Sequence, residues 1–398
     1  MKVLHINTHD YGGAGIASTR LHLGISQKKL IDSSILFLSP PEKEILFSSS
    51  IKGNLKNARE KFLFEQKVIF SRIYNYFKTK KLPKGYEAFF LPRTFIDITK
   101  SQQYKEADII HLHWVSELMD YPSFFKKNKK PIVWTLHDMT PFSAGYPYEK
   151  GFPFKEYEKL NRQCIKIKKR ALQSQNVVSV SPSKWMMEKA KKSELFKNVQ
   201  HEVIKNGIDP QLFKPFNQQL ARTFLELPLD KKIILFVSDY TSNKRKGFHF
   251  LWDAVKMLKD EENLLVCTIG GEMNLQQYAN CISLGKIKDE RIMRLAYSAA
   301  DVYVLPSIED NLPNTLLESI LCGTPIVGFN IGGIKEIVNS NNGLLVPEIS
   351  SLSLSNSLKQ IINNQVTFDR NLIIADAKLK YDIHQQSQKY IDLYNSII

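Results

Sequence analysis

The sequence predicts an α/β protein of two doubly wound domains, each a parallel sheet with helices on both faces. Three observations predict it. Twelve short runs rich in Val, Ile and Leu, as in strands buried on both faces, alternate with segments of helical length. Such alternation builds parallel sheets with right-handed crossovers. Twelve strands are also too many for one compact sheet in 398 residues, and Pro210 and Pro215 punctuate a boundary near Phe213–Asn217.

In the first half the runs are Val3–Asn7, Ser34–Leu38, Asp108–His113, Ile132–His137, Val177–Ser181 and Glu202–Lys205. In the second they are Ile233–Ser238, Leu264–Ile269, Cys281–Leu284, Val302–Leu305, Ile326–Phe329 and Leu344–Val346. The expected domains are 1–215 and 216–376. A helix over 377–398 follows, with an apolar face of Tyr390, Leu393, Tyr394 and Ile397, and it is expected to return toward the N-terminal domain. Open parallel sheets bind ligands beyond the carboxyl ends of their strands. Two such sheets facing each other would line one central cleft, so the residues just after the strands are the ones to inspect.

Charge is unevenly spread. Residues 1–215 hold 37 Lys and Arg against 20 Asp and Glu, whereas the rest hold 18 against 20, within a net charge of +15. A basic first half fits an anionic partner, such as nucleic acid, a membrane face or a phosphorylated acceptor, and it also fits solvated lysines. No nucleic-acid recognition motif is present, and acids at the expected cleft would repel a phosphate backbone, so nucleic acid is not an expected partner. Cys164, Cys267, Cys281 and Cys322 show no metal-ligand spacing and read as reduced thiols of a cytoplasmic protein. No Asp, Glu or His cluster with metal spacing appears either, so neither a metal nor a cofactor is expected. The apolar start is too short for a signal peptide, and no run approaches the ~20 apolar residues of a membrane span.

Four motifs carry chemistry. After the first strand, Asp10-Tyr11-Gly12-Gly13-Ala14-Gly15 precedes a helix expected from Ile16, and glycines there let backbone amides approach a phosphate. A dinucleotide fingerprint fits poorly, because Ser18 stands where its third glycine belongs, and a tight turn without a ligand is the other reading. Asn243-Lys244-Arg245-Lys246-Gly247 puts three cations between a strand and a helix, either to neutralise a diphosphate or as a solvated loop. The last two lie in one segment. Pro306 to Glu318 follows a strand, Pro313 suits the first helical turn, and the amides of Asn314, Thr315 and Leu316 would emerge from the helix end to hold an anion. Asp310 in the loop and Glu318 on the apolar helix, eight residues apart, can both accept from sugar hydroxyls.

This last segment resembles the E-x7-E region of retaining glycosyltransferase family 4, group 1, whose fold is GT-B, two Rossmann-like domains facing a cleft. The resemblance covers most of the chain. It is strongest over residues 281–347, with Ser283-Leu284-Gly285, Ala300-Asp301-Val302, Glu318-Ser319, Gly323-Thr324-Pro325, Gly332-Gly333 and Gly343-Leu344-Leu345-Val346-Pro347. In the first half Ala107–Trp114, Thr135-Leu136-His137-Asp138-Met139 and Asn206-Gly207-Ile208-Asp209 also match. The pattern is similar to transferases of bacterial exopolysaccharide, capsule or O-antigen synthesis, of the colanic-acid type. The resemblance implies transfer from a nucleotide diphosphate sugar to a saccharide or lipid-linked saccharide acceptor, with retention and without a metal. By that resemblance Glu318 binds the ribose, Lys246 the diphosphate with Gly13 behind it, and Asp310 and His137 the donor sugar. Gly270-Gly271-Glu272 and Lys286-Ile287 would border the base.

Three positions depart from the family pattern. Asp310 stands where Glu is usual, with Glu309 beside it as a second candidate. Asp239 stands where an arginine is usual, which makes Arg245 the replacement. Residues Tyr146–Phe154 replace a cysteine-rich segment, so acceptor identity does not carry over. A catalytically silent GT-B partner or sugar-binding module is the alternative, and a nucleotide-sugar 2-epimerase is a third. Separately, Leu55, Ala58, Phe62, Gln66, Ile69, Ile73 and Phe77 recur at helical spacing among eight cations of residues 54–81. Such a helix either packs on its own sheet or lies on an anionic bilayer, which would seat the basic domain peripherally on the inner face of the cell membrane.

Overall fold

The computed structural model describes residues 1–81, 87–239, 243–258, 263–271 and 280–398. The chain divides into two compact units, Met1–Gly207 with Ile383–Ile398, and Ile208–Asp382. The proline-punctuated stretch therefore begins the second unit, to whose core Ile208 and Phe213 contribute.

In the first unit seven strands, β1 (Lys2–Ile6), β2 (Asp32–Phe37), β3 (Ser48–Ser50), β4 (Ile109–Leu112), β5 (Ile132–Thr135), β6 (Val177–Ser181) and β7 (Gln200–Val203), form one parallel sheet. Their order is β3-β2-β1-β4-β5-β6-β7, so the winding reverses between β1 and β4. Alternate residues serve opposite faces. Leu4, Ile6, Ile110, Leu112 and Trp134 enter one buried cluster, and Val3, Ile109, Val133 and Val178 the other. This two-sided burial is why the strands read as unbroken apolar runs. The edge strand β3 is three serines and left no such run in the sequence.

Two helical expectations need correction. Residues 377–398 are not one helix: Arg370–Tyr381 and Ile383–Ser396 are separate, broken at the extended Asp382, which bridges to Ile208. The later helix closes the first unit, burying Tyr390, Leu393 and Tyr394 against Val3, Leu21, Ile25 and Val133. At the close approach a Cβ on Gly24 would sit 2.5 Å from Ser387 Oγ. The second correction concerns the basic helix, which spans Ala58–Thr79. It packs through a narrow seam of Phe64, Val68 and Ser71, and the expected apolar face is left in solvent, with Phe62 60% and Phe77 62% exposed. Two apolar stripes compete on this helix, and the one carrying Ser71 and Asn75 wins because their side chains bond the backbone of Phe95 and Leu91.

In the second unit β8 (Lys232–Ser238), β9 (Leu264–Gly270), β10 (Cys281–Ser283), β11 (Val302–Leu305), β12 (Ile326–Phe329) and β13 (Gly343–Val346) form a six-stranded parallel sheet. Its order is β10-β9-β8-β11-β12-β13, and here the reversal falls between β8 and β11. Among the described residues no helix is long and apolar enough to cross a membrane.

Candidate functional site

The winding reverses between β8 and β11, and it is beyond the carboxyl ends of strands at such a reversal that doubly wound sheets hold their ligands. The loops after both strands are fastened together. Asn243 accepts from the amide of Arg245 at 3.0 Å and starts a short turn, Lys244–Lys246. Gly247 ends it at φ 70°, and a Cβ there would lie 1.8 Å from the Pro306 carbonyl oxygen, so only glycine lets the loops meet. The amide of Ile308 then donates to the Arg245 carbonyl at 2.8 Å.

This brings Arg245 and Lys246 onto Asp310. Lys246 Nζ lies 2.8 Å and Arg245 Nη1 3.2 Å from Asp310 Oδ2, and Arg245 also donates to the Glu309 carbonyl at 2.6 Å. Asp310 is buried, which by itself opposes its ionisation; Lys246 and Arg245 outweigh that and hold its carboxyl down to about 2. Two cations share this one carboxylate, which leaves them able to meet a further anion. Sequence reasoning assigned these cations and this acid to different groups of a ligand; the structure pairs them with each other.

Glu318 is buried on the helix Asn314–Leu321 and accepts from Tyr297 Oη at 2.8 Å. Burial and this carboxylate raise the Tyr297 phenol well above its ordinary value. Tyr303 on β11 donates to Thr315 Oγ1 at 2.8 Å, and the two tyrosine rings meet edge to face at 5.8 Å. Neither tyrosine stands out in the sequence, although Tyr303, inside a strand buried on both faces, must find a polar partner. The helix start differs from expectation. Pro313 is the cap rather than the first helical residue, and the Leu316 amide closes back onto its carbonyl at 3.2 Å, which leaves Asn314 and Thr315 to form the rim.

Gly271 and Ile287 lie beyond β9 and β10. The amide of Gly271 donates to the Asp239 carbonyl at 3.1 Å, and that of Gly270 to the Gly285 carbonyl at 2.9 Å, while half-buried Ile287 packs on the core. Cβ atoms at Gly270 and Gly271 would fall 1.7 and 2.5 Å from the Ser238 and Asp239 carbonyl oxygens. Glu272 lies outside the described residues.

In the first unit the helix after β1 opens at Gly12, four residues earlier than expected from Ile16. Gly12 needs its positive φ of 72°, and Cβ atoms on Gly12 or Gly13 would meet nothing within 4 Å. The lack of side chains there keeps a surface open rather than permitting packing. Beyond β4 and β5, Trp114 Nε1 donates to Asp138 at 3.1 Å, and burial lifts the Asp138 carboxyl to about 6. His137 stands next to Asp138, with Nε2 3.0 Å from His113 Nδ1. The loop that follows is pinned by buried Lys168, whose Nζ donates to the carbonyls of Thr140 and Ser143; burial lowers this amine to about 8.

Behind His137 lies a group that linear spacing did not reveal. His5 of β1, His111 of β4 and His113 just beyond it are buried, and their ring nitrogens lie close enough to ligate one ion. They come from strands about a hundred residues apart in sequence. These nitrogens also serve one another and their neighbours. His5 Nδ1 is 3.0 Å from His113 Nε2, and His111 bonds Tyr394 Oη at 2.6 Å and Thr135 Oγ1 at 2.7 Å.

With the geometry established, comparison with known proteins is informative. Residues 231–364 match the profile of the family described as Glycosyl transferases group 1. The putative teichuronic acid biosynthesis glycosyltransferase TuaC of Bacillus subtilis is 24% identical over 271 residues, covering 67% of this chain and 64% of its own. The chain thus spans less than two thirds of the length of this relative. Among solved structures, sucrose-phosphate synthase of Thermosynechococcus elongatus superposes with a TM-score of 0.72 at 17% identity, covering 100% of this chain and 98% of that one. Anabaena HepE in complex with UDP and glucose superposes with a TM-score of 0.67 at 15% identity, covering 100% of both chains.

Proposed function

Residues 231–364 are of the group 1 glycosyltransferase type within a chain of GT-B fold, and from that premise we propose a retaining, metal-independent glycosyltransferase of family 4. It moves a sugar from a nucleotide diphosphate sugar to a saccharide acceptor in bacterial surface polysaccharide synthesis, similar to transferases of the colanic-acid type. The observation that carries this reading is the Arg245–Lys246–Asp310 cluster fastened at the β8–β11 reversal. A diphosphate arriving there meets two part-buried cations that Asp310 already holds in place, so it reorders few side chains. Glu318, held by Tyr297, accepts from the ribose hydroxyls. Asp310, with Glu309 beside it, takes the donor sugar and keeps Lys246 and Arg245 from straying. Asn314 and Thr315 at the helix rim, with Leu316 behind them, support the phosphates. Gly271 and Ile287 border the base, Gly12 and Gly13 leave room for the donor's far side, and His137 contacts the sugar near the reacting carbon. The departing phosphate takes up the acceptor proton.

The acceptor is lipid-linked in this reading, and the first unit sits on an anionic membrane at its cytoplasmic face. Support comes from the exposed Phe62, Ile69, Ile73 and Phe77 of a helix that also carries Lys61, Lys67 and Arg72. In the same unit Arg93, Lys126 and Arg170 line a cavity of about 380 Å³.

Thermal-shift binding across UDP, GDP, dTDP and ADP and their sugars tests the donor site, since a ligand that binds only the folded state raises its melting point. A shift with one nucleotide family, lost in Glu318→Gln, is expected. No shift with any of them would replace this reading with a silent module.

A further inference from the structure

The cavity of about 380 Å³ on the first unit is lined by Arg93, Lys126 and Arg170, by the amides Gln173 and Gln175, and by apolar groups such as buried Phe125. Its volume falls within the about 300–1,000 Å³ of small-molecule pockets. No acid lines it. Gln173 and Gln175 lie in the loop before β6, so the cavity sits toward the amino end of that strand. His137 stands beyond the carboxyl end of β5, at the other end of the parallel sheet.

Three parts of the chain meet there, and each is fastened. Arg93 lies between Pro92, whose carbonyl accepts from the Tyr121 amide at 3.1 Å, and Thr94, whose amide donates to Asp120 Oδ1 at 3.2 Å. Both bonds tie it to the start of the helix Tyr121–Lys127. The helix Glu158–Leu172 is held to the same place by buried Lys168, whose Nζ lies 4.9 Å from the centre of the Tyr121 ring. Lys126 and Arg170 occupy the last turns of these two helices. The backbone under each cation is thus fixed before a ligand arrives, which lowers the ordering cost of binding.

Cations in a last helical turn also suit the helix dipole, and this is the rival account of Lys126 and Arg170. It leaves two observations unexplained. Arg93 belongs to no helix, yet it joins them. Lys127 and Lys169, in the same last turns, pair with acids, Asp97 at 2.6 Å and Glu194 at 2.5 Å. The side chains of Arg93, Lys126 and Arg170 form no ion pair or hydrogen bond among the described residues. Three like charges around one cavity repel one another, and an anion between them relieves that repulsion.

We propose that this cavity binds a phosphate group, carried by a soluble ester or by a lipid headgroup. A guanidinium fork matches phosphate oxygens in pairs, so Arg93 and Arg170 supply directed bonds and Lys126 a point charge. The amides of Gln173 and Gln175 can donate to the remaining oxygens. The site is independent of the transferase reading, because none of its residues belongs to the donor site.

Calorimetric titration of the full-length protein with inorganic phosphate at low salt tests the site. The wild type should bind saturably. Arg93→Gln/Lys126→Gln/Arg170→Gln should bind at least about 10-fold more weakly, having lost several charge-assisted bonds. These three side chains are exposed, so the variant should keep the wild-type melting temperature. Lys127→Gln/Lys169→Gln removes two charges from the same helix ends and should bind phosphate as the wild type does. So should Lys246→Met, which separates this cavity from the diphosphate site. No binding by the wild type, equal weakening in the two glutamine variants, or loss in Lys246→Met alone overturns the proposal. Flotation with vesicles of phosphatidylcholine and phosphatidate separates the two sources. Flotation lost in the triple variant and kept in Lys127→Gln/Lys169→Gln assigns a lipid headgroup; flotation that is absent or the same in all three assigns a soluble ester. Nucleotide binding should be unaffected by the triple variant. Its absence in the wild type, with phosphate binding intact, would overturn the transferase reading and leave this site standing.

Discussion

Lowering the pH from 6.5 to 5.5 should destabilise the first unit by about 3 kcal/mol. Chief among the groups responsible are His5, His111, His113 and His137, with buried His22 lowered in the same sense. Burial, aided in the first three by neighbouring imidazoles, holds each below its ordinary value, His137 at about 4. Their folded pKa values lie below the unfolded one, so in this window the unfolded chain binds more protons and stability falls as pH falls. An imidazole that stays neutral while its unfolded counterpart protonates costs about 1 kcal/mol over this unit of pH, or about 4 kcal/mol for the four. Asp138 acts in the opposite sense. Its carboxyl is pushed up to about 6, so the folded state takes the proton first and regains up to about 1 kcal/mol. The net loss is a large part of an ordinary domain's stability of about 5–15 kcal/mol. Urea unfolding at the two pH values and fixed ionic strength measures it. In a Trp252→Phe background, fluorescence comes from Trp114, Trp134 and Trp185, all in the first unit. His111→Gln removes one titrating ring and should flatten the dependence by about 1 kcal/mol, whatever it does to stability at pH 6.5. Equal unfolding free energies at both pH values, or an unchanged dependence in His111→Gln, would refute the account of a neutral buried cluster.

Four further outcomes are expected. Gly247→Ala should lower the melting temperature of the second unit by several degrees, because its Cβ would collide with the Pro306 carbonyl oxygen at positive φ; calorimetry checks this. Lys246→Met should weaken nucleotide diphosphate binding by about 10- to 100-fold, the range of one lost charge-assisted bond, with nucleoside binding unaffected in titration calorimetry. Glu318→Gln should weaken the nucleoside too while keeping the fold, since the amide oxygen still accepts from Tyr297. Replacing Phe62, Ile69, Ile73 and Phe77 by Ser should abolish flotation with anionic vesicles and leave the melting temperature within about a degree, because these side chains are exposed.

The sheets were legible because parallel strands buried on both faces leave apolar runs; Val177–Ser181, Val302–Leu305 and Ile326–Phe329 were read to the residue. An edge strand needs only backbone partners, so Ser48–Ser50 left no trace. Arg245, Lys246, Asp310 and Glu318 stood out singly as charges after strands or within an apolar helix. Their mutual pairing did not, because it depends on the loop closure that Gly247 permits. The histidines hid for a related reason: His5 and His111 are adjacent only through strand register. Helix periodicity located Ala58–Thr79 but gave the wrong inward face, because hydrogen bonds of Ser71 and Asn75 outweighed apolar area.

The helix Ile383–Ser396 sets a schedule for biosynthesis. It supplies Tyr390 and Tyr394 to the core of a unit whose strands are complete by Val203. The ribosome must make the 175 residues of Ile208–Asp382 before this helix emerges, which takes roughly 10–35 s at about 5–20 residues per second. Throughout that interval the nascent first unit holds Val3, Leu21 and Val133 uncovered and His111 without its tyrosine, a substrate for chaperones. The second unit, contiguous in sequence, can fold meanwhile, so the half of the protein that is translated first is the half that matures last.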